Sequence, residues 1–261
     1  VTAFGTGVHS SMPVNDNAVY LLSQALAKIA AYNPPAKLTP TARTFLKAIK
    51  PLVDEDAQTT IGFLLSGNVQ NRQSAADVMA LDPFFRTQLK DTLNPTVLSA
   101  SKDTGSTSGE ASAVLNVRLL PGSDPDEFFE NLTKLFSPDE PISLEIMERP
   151  QLPFPTPMDG TDPLFASIEK TAKKLVPDSI TVPGMSPASG DNEFLRKLGV
   201  ITYGLGPDMD PLSENTAHGA DEFISEKDFF HQLQFIAGVV FDFAYGKDLL
   251  PLTPQTAPAP A

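Results

Sequence analysis

Apolar positions repeat with two different periods along this chain, and the changes of period divide it. Residues 1–6 alternate weakly and predict a short strand. After a Gly-rich turn, AVYLLSQALAKIAAY (18–32) carries Leu22, Leu26 and Ile29 at helical spacing, with Asp16 or Asn17 placed to cap it. Residues 33–94 give shorter helical patterns, such as TPTARTFLKAIKPLV and QSAADVMALDPFFRTQL, and read as an insertion or helical flap. From residue 96 the period drops to two. TVLSAS (96–101) and SAVLNVRLL (112–120) predict strands joined by the polar stretch KDTGSTSGE. GSDPDEFFENLTKLF predicts a helix capped by Asp124, with Pro125 at its first position and Phe128, Leu132 and Leu135 on one face. ISLEIME (142–148) predicts a further strand.

The order over residues 1–149 is therefore β-α-(insertion)-β-β-α-β. It predicts a four-stranded antiparallel sheet with two helices on one face, a ferredoxin-like α+β layout. RPQLPFPTPMDGTDP (149–163) holds five prolines and reads as a linker. Beyond it the pattern predicts helix 162–175, strand 179–183, helix 190–198, strand 200–205 and helix 225–245, the edge of an α/β sheet. The expected domains are 1–149 with its insertion at about 33–94, then 150–250, then a disordered Pro/Ala-rich tail at 251–261.

Composition adds exclusions. The net charge of −13 opposes nucleic acid and anionic membranes as main partners, and no apolar run approaches the roughly 20 residues a membrane span needs. Zero Cys removes thiol catalysis, disulfides and thiolate metal sites together. The 25 prolines gather at segment ends and read as loop punctuation. The start has no charged leader and no Met, so no signal peptide is expected and the chain is expected to be a trimmed piece of a longer one.

Four segments carry a family likeness in one order. GTGVHSSMPVNDNAV, SGEASAVLNVRLLPGSDPDE, GDNEFLRKLGVITYGLGP and HGADEFIS are each weak alone. Together they resemble the zinc-dependent M20 peptidase and deacylase family, with the insertion pointing to its carboxypeptidase S-like and N-acyl-amino-acid hydrolase branch. The resemblance runs from residue 1 to about 246. It implies a ferredoxin-like lid, or dimerisation, domain followed by the C-terminal part of an α/β zinc-peptidase catalytic domain.

Residue roles follow from the same likeness. His218, in HGADE, matches the family's last metal-binding histidine, and Glu222 reads as a partner fixing its imidazole. His9, in the Gly-rich turn, matches a lid histidine that stabilises a tetrahedral oxyanion, often in the partner subunit's site. Ser10 and Ser11 read as turn residues. Arg118 and Asp191 match positions near substrate. Glu193 stands where the family has a carboxylate-binding Arg, and Arg196, one helical turn on, is the candidate substitute. His231 falls inside a helix pattern and is read as structural.

The family's chemistry uses two zinc ions, about five N/O ligands and a carboxylate base, with zinc bringing bound water to a pKa near 7. The family's other ligands come from a His-x-Asp, a bridging Asp and a Glu-Glu pair. None of the three histidines here begins a His-x-Asp, and no Glu-Glu dipeptide occurs. The sequence thus predicts an M20-like metal-dependent hydrolase of small peptides or N-acyl amino acids, homodimeric through its lid. The N-terminal metal-binding segment is expected to be absent, leaving at most one zinc ligand in a chain inactive alone. The alternative is a non-catalytic dimerisation or binding module derived from such an enzyme.

Overall fold

The computed structural model describes residues 1–149, 162–186, 190–205 and 219–246. The chain divides into two compact units, one of residues 1–153 with 184–189, the other of 154–183 with 190–261.

The first unit is built on a four-stranded antiparallel sheet. Its strands are β1 (Thr2–Phe4), β2 (Thr92–Ser99), β3 (Glu110–Arg118) and β4 (Ile142–Ser143), ordered β2-β3-β1-β4. Between β1 and β2 run α1 (Ala18–Ala31), α2 (Pro40–Ile49), a 3-10 turn, α3 (Glu55–Leu65), α4 (Val69–Met79) and α5 (Pro83–Leu89); α6 (Pro125–Thr133) lies between β3 and β4. This is the order expected of a ferredoxin-like layout.

Helix α1 covers the sheet. Its buried residues Ala18, Leu22, Ala25 and Ile29 recur at four, three and four, the stripe of a 3.6-residue period. Ala18 and Leu22 meet Ala3, Ala111 and Ala113, small side chains that let the helix lie close to the strands. Full burial of Leu22 and Ile29 contributes about 1.5–3 kcal/mol each. Helix α6 buries Phe128 and Leu132, and the Phe128 ring meets Tyr32 edge-on at 6.1 Å.

Many prolines and short polar residues have one job here, which is to start helices. Thr39, Asp82 and Asp124 accept a hydrogen bond from a backbone N–H of the first turn, and each precedes a proline at the first helical position. Asn17, Asp54 and Asn68 cap α1, α3 and α4 in the same way.

Helices α2–α5 have a core of their own, made of Leu46, Ile61, Leu64, Ala75, Ala76 and Leu89. Two adjacent charged residues at the end of α5 tie this core to the sheet. Lys90, only 2% exposed, donates from Nζ to Asn33 Oδ1 and Asp77 Oδ1. Asp91, also 2% exposed, accepts from the Leu120 N–H and the Ser123 hydroxyl at 2.7 Å each, and from Lys37 Nζ at 3.0 Å.

A buried ammonium is costly once its partner is gone, but an apolar replacement removes the cost with the charge. Asp77→Asn is therefore expected to cost about 1–3 kcal/mol, the lower part of that range reflecting Asp77's exposure. Lys90→Met should stay within about 1 kcal/mol of the parent. Urea unfolding of both variants checks this. Burial pushes the Asp77 carboxyl up, but hydrogen bonds from Lys90, Asn33 and Gln73, together with the Lys90 charge, outweigh it and hold the pKa below the ordinary value. A carboxylate with a lowered native pKa gives its full stability above its unfolded pKa and loses it as pH falls through the native value. Stability should thus drop below about pH 4, and Asp77→Asn should flatten that part of the profile.

In the second unit, α7 (Pro163–Leu175) and α9 (Glu226–Tyr245) pack through Ile168, Phe235 and Val239, with Tyr203 and Leu205 at the margin. At Gly238 a Cβ would sit 2.7 Å from Thr171 Cγ2, so a larger residue there would force the Thr171 side chain to move. A short helix, α8 (Asn192–Lys197), lies between them in sequence.

Three expectations are corrected. The strand expected over 142–148 pairs only at Ile142 and Ser143, opposite Ala3 and Thr2. Segments 179–183 and 200–205 form no strand among the described residues, where neither finds a ladder partner. An apolar run of β-favouring residues becomes a strand only when another strand takes its hydrogen bonds. The expected disordered tail, 251–261, lies outside the described residues. No helix among those residues is long and apolar enough to cross a membrane.

Candidate functional site

The chain leaves β1 at Phe4 and turns beneath the start of α1. The Gly5 N–H donates to Gly109 O at 2.9 Å, the Thr6 N–H to Asp16 O at 3.3 Å, and the Thr6 hydroxyl to Asp16 Oδ2 at 2.6 Å. Residues 6–10 then run alongside 105–109. The Val8 N–H donates to Thr107 Oγ1 at 2.9 Å, the Thr107 N–H to Val8 O at 2.8 Å and the Ser10 N–H to Gly105 O at 2.8 Å. His9 faces Ser106 across this ladder.

The opposing loop has its own brace. Asp103 accepts from the Gly105 N–H at 2.9 Å and the Ser106 hydroxyl at 3.0 Å. Those two bonds, the backbone one first, hold its carboxyl below the ordinary range.

The His9 ring is exposed, and one of its nitrogens is engaged. The Ser11 N–H points at Nδ1 from 3.3 Å, and Ser11 Oγ lies 2.9 Å from the same atom. A backbone N–H can only donate, so Nδ1 accepts and the neutral ring carries its proton on Nε2. His9 therefore presents a fixed N–H donor on an ordered turn. Ser11, read from sequence as a turn residue, is the group that sets this tautomer.

The other candidates fall elsewhere. Arg118 ends β3, whose first residue Glu110 pairs with Phe4 beside the His9 turn. Eight residues of strand place Arg118 about 27 Å from that end. It is exposed, and the structure does not bring it together with His9. Asp191 is the first-turn boundary of α8 and makes no side-chain cap. Arg196, in the last turn of α8, gives Nε to Thr202 Oγ1 at 3.0 Å and Nη2 to Thr202 O at 2.9 Å. One edge of the guanidinium, Nε with Nη2, is thus occupied by the chain itself. Glu193 lies 3.6 Å from Lys197, one turn along the same helix. His218 lies outside the described residues. Asp221 and Glu222 are exposed.

The profile of the M20 peptidase dimerisation domain matches residues 1–142 of the 261. The chain belongs to the M20 peptidase family. Among curated proteins it is similar to "Probable carboxypeptidase S-like 2" of Dictyostelium discoideum, 23% identical over 231 residues that make up 88% of this chain and 43% of that protein. It is also similar to "Aminoacylase-1" of the same organism, 24% identical over 132 residues, 50% of this chain and 31% of that protein. The chain spans less than half the length of either relative. Among solved structures, the di-peptidase Dug1p from Saccharomyces cerevisiae is similar in fold, with a TM-score of 0.54 over 93% of this chain and 53% of that one, at 14% identity.

The M20 family is generally metal-dependent, and this chain descends from that hydrolase family. Among the described residues, no group of three or more His, Cys, Asp or Glu side chains could hold a metal ion. These residues do not by themselves fit a metal centre.

Proposed function

We propose that this chain serves an M20-type hydrolase of peptide or N-acyl amide bonds. In this reading residues 1–149 are its lid and dimerisation domain and 150–250 the C-terminal part of its catalytic domain. The observation that carries the reading is the His9 turn. Its Nε2–H, fixed by Ser11 at Nδ1, is a donor suited to the negative charge that develops on a carbonyl oxygen as an amide is attacked. The likeness to a carboxypeptidase S-like protein and to an aminoacylase supports small peptides or N-acyl amino acids as substrates. The family's metal dependence enters as zinc, with His218 the ligand that the HGADE motif assigns to this chain. In this reading Asp191 and Arg196 belong to the segment that meets substrate, and Arg118 contacts substrate or steadies the lid.

The homodimer belongs to the same reading. Strand β2 is the longer of the sheet's two outer strands, eight residues, with Val97 53% and Leu98 66% exposed. Its outer edge offers backbone donors and acceptors to a second copy. In the other unit, α9 leaves Phe229, Phe230, Leu233, Ile236 and Val240 largely exposed, which supports its being one layer of a larger α/β domain.

The test uses the full-length gene product with dipeptides and N-acyl amino acids. The parent should hydrolyse one of these classes, and His9→Ala should lower kcat about 100-fold with KM little changed. No hydrolysis of either class, or an unaltered kcat in the variant, overturns the reading. A second reading, a non-catalytic dimerisation and binding module, is favoured by the lack of any His-x-Asp or Glu-Glu in the sequence. A dimer by light scattering with no turnover would select it.

A further inference from the structure

The chain does not keep one register as it passes from β1 into the His9 turn. Phe4 faces Glu110, whereas His9 faces Ser106. From Phe4 to His9 the chain takes five steps, and from Glu110 back to Ser106 only four, so the His9 side carries one extra residue. An extra residue of this kind re-aims the side chains beyond it and disrupts the ladder locally.

The bond at stake belongs to Val8, the residue before His9. In a regular antiparallel ladder Val8 and Thr107 would exchange two backbone hydrogen bonds. One is present, the Thr107 N–H donating to Val8 O at 2.8 Å. The other does not reach the Thr107 carbonyl, whose oxygen lies beside Gly7, 3.3 Å from where a Cβ would stand. The Val8 N–H goes to Thr107 Oγ1 instead, at 2.9 Å. The hydroxyl's own proton has Thr6 O and Val8 O within reach, each at 3.2 Å. A threonine side chain thus supplies the acceptor that the register change takes from the backbone. We propose that Thr107 is a positioning residue for His9: its hydroxyl locks the shifted register that sets Ser106, not Gly105, opposite His9. A slip by one residue turns a side chain to the other face of a ladder, so the same bond fixes the face on which His9 presents Nε2. That this face meets a developing oxyanion rests on the proposed function.

NMR on the chain itself tests the lock without any assay of turnover. Thr107→Val keeps the shape and deletes the hydroxyl, whereas Thr107→Ser keeps the hydroxyl. Residues opposed as His9 and Ser106 are, in a pair that exchanges no backbone bonds, have Cα atoms about 4.5 Å apart, close enough for an Hα–Hα cross-peak. In Thr107→Val the Val8 amide is expected to exchange about tenfold faster, and the His9–Ser106 cross-peak to lose about half its intensity or more. In Thr107→Ser both should stay near the parent. Should Thr107→Val fail to fold, Thr107→Ala, which adds no atom, carries the same test. An intact cross-peak, unchanged exchange at Val8, or a serine variant as loose as the valine one overturns the proposal. In the full-length gene product, Thr107→Val should lower kcat about tenfold with KM little changed, and Thr107→Ser should restore it. If His9→Ala slows turnover and Thr107→Val does not, the positioning role falls and the proposed function stands. If the parent hydrolyses neither substrate class, the proposed function falls, and the cross-peak still decides whether Thr107 places His9.

Discussion

Replacing Asp91 with alanine is expected to destabilise the first unit by about 3–5 kcal/mol, seen as a lower urea midpoint with an unchanged slope. Both oxygens of this buried carboxylate are in use. Oδ1 takes the Leu120 N–H and the Ser123 hydroxyl, and Oδ2 takes Lys37 Nζ. Lys37 is partly exposed and can rehydrate, but Leu120 is 5% and Ser123 6% exposed, so their donors would be left facing a void. An unsatisfied buried donor costs about 1–3 kcal/mol, and two are created together. Asp91→Asn keeps the shape and one acceptor and should fall between the parent and the alanine variant. A loss under about 1 kcal/mol for Asp91→Ala would mean that the junction of α5 and β2 is held by packing alone.

That junction also shows what the sequence could and could not disclose. The β-α-β-β-α-β order was legible because each element announces its own period. The helix starts were legible because Asp124 and Asn17 stand where a first turn needs acceptors. The Lys90–Asp91 pair gave no such signal. Adjacent charges between a helix and a strand look like a solvated turn, and only the tertiary fold buries them. Strand length was misjudged for a similar reason. Residues 144–148 alternate well enough to predict a strand, but alternation does not say which residues find a ladder partner, and only Ile142 and Ser143 pair with β1. The site divides the same way. His9 could be picked out from its Gly-rich turn, whereas its tautomer depends on how Ser11 folds back, and the engagement of Arg196 depends on where Thr202 lies. Neither is a property of residue spacing.

Gly5→Ala is expected to be the most damaging change in the His9 turn, costing about 4 kcal/mol or more. A Cβ there would sit 1.9 Å from Asp16 O and 2.7 Å from Ala18 N. Both obstacles are backbone, fixed by the start of α1, so no rotamer change relieves them. The turn must move, and His9 moves with it. The neighbouring glycines make a graded control. At Gly7 a Cβ would meet Gly109 N at 3.2 Å and Thr107 O at 3.3 Å, which needs a shift of a few tenths of an ångström; at Gly109 the nearest atom is 3.7 Å away, an ordinary contact. None of the three is among the glycines with positive φ, so the series isolates space from backbone conformation. Melting temperatures should fall in the order Gly5→Ala, then Gly7→Ala, then Gly109→Ala, the last within about 1 kcal/mol of the parent. The His9 ring signals in an NMR titration should shift most for Gly5→Ala. If Gly5→Ala proved as mild as Gly109→Ala, β1 would not pass beneath α1 as described, and the turn that aims Nε2 would lose its foundation.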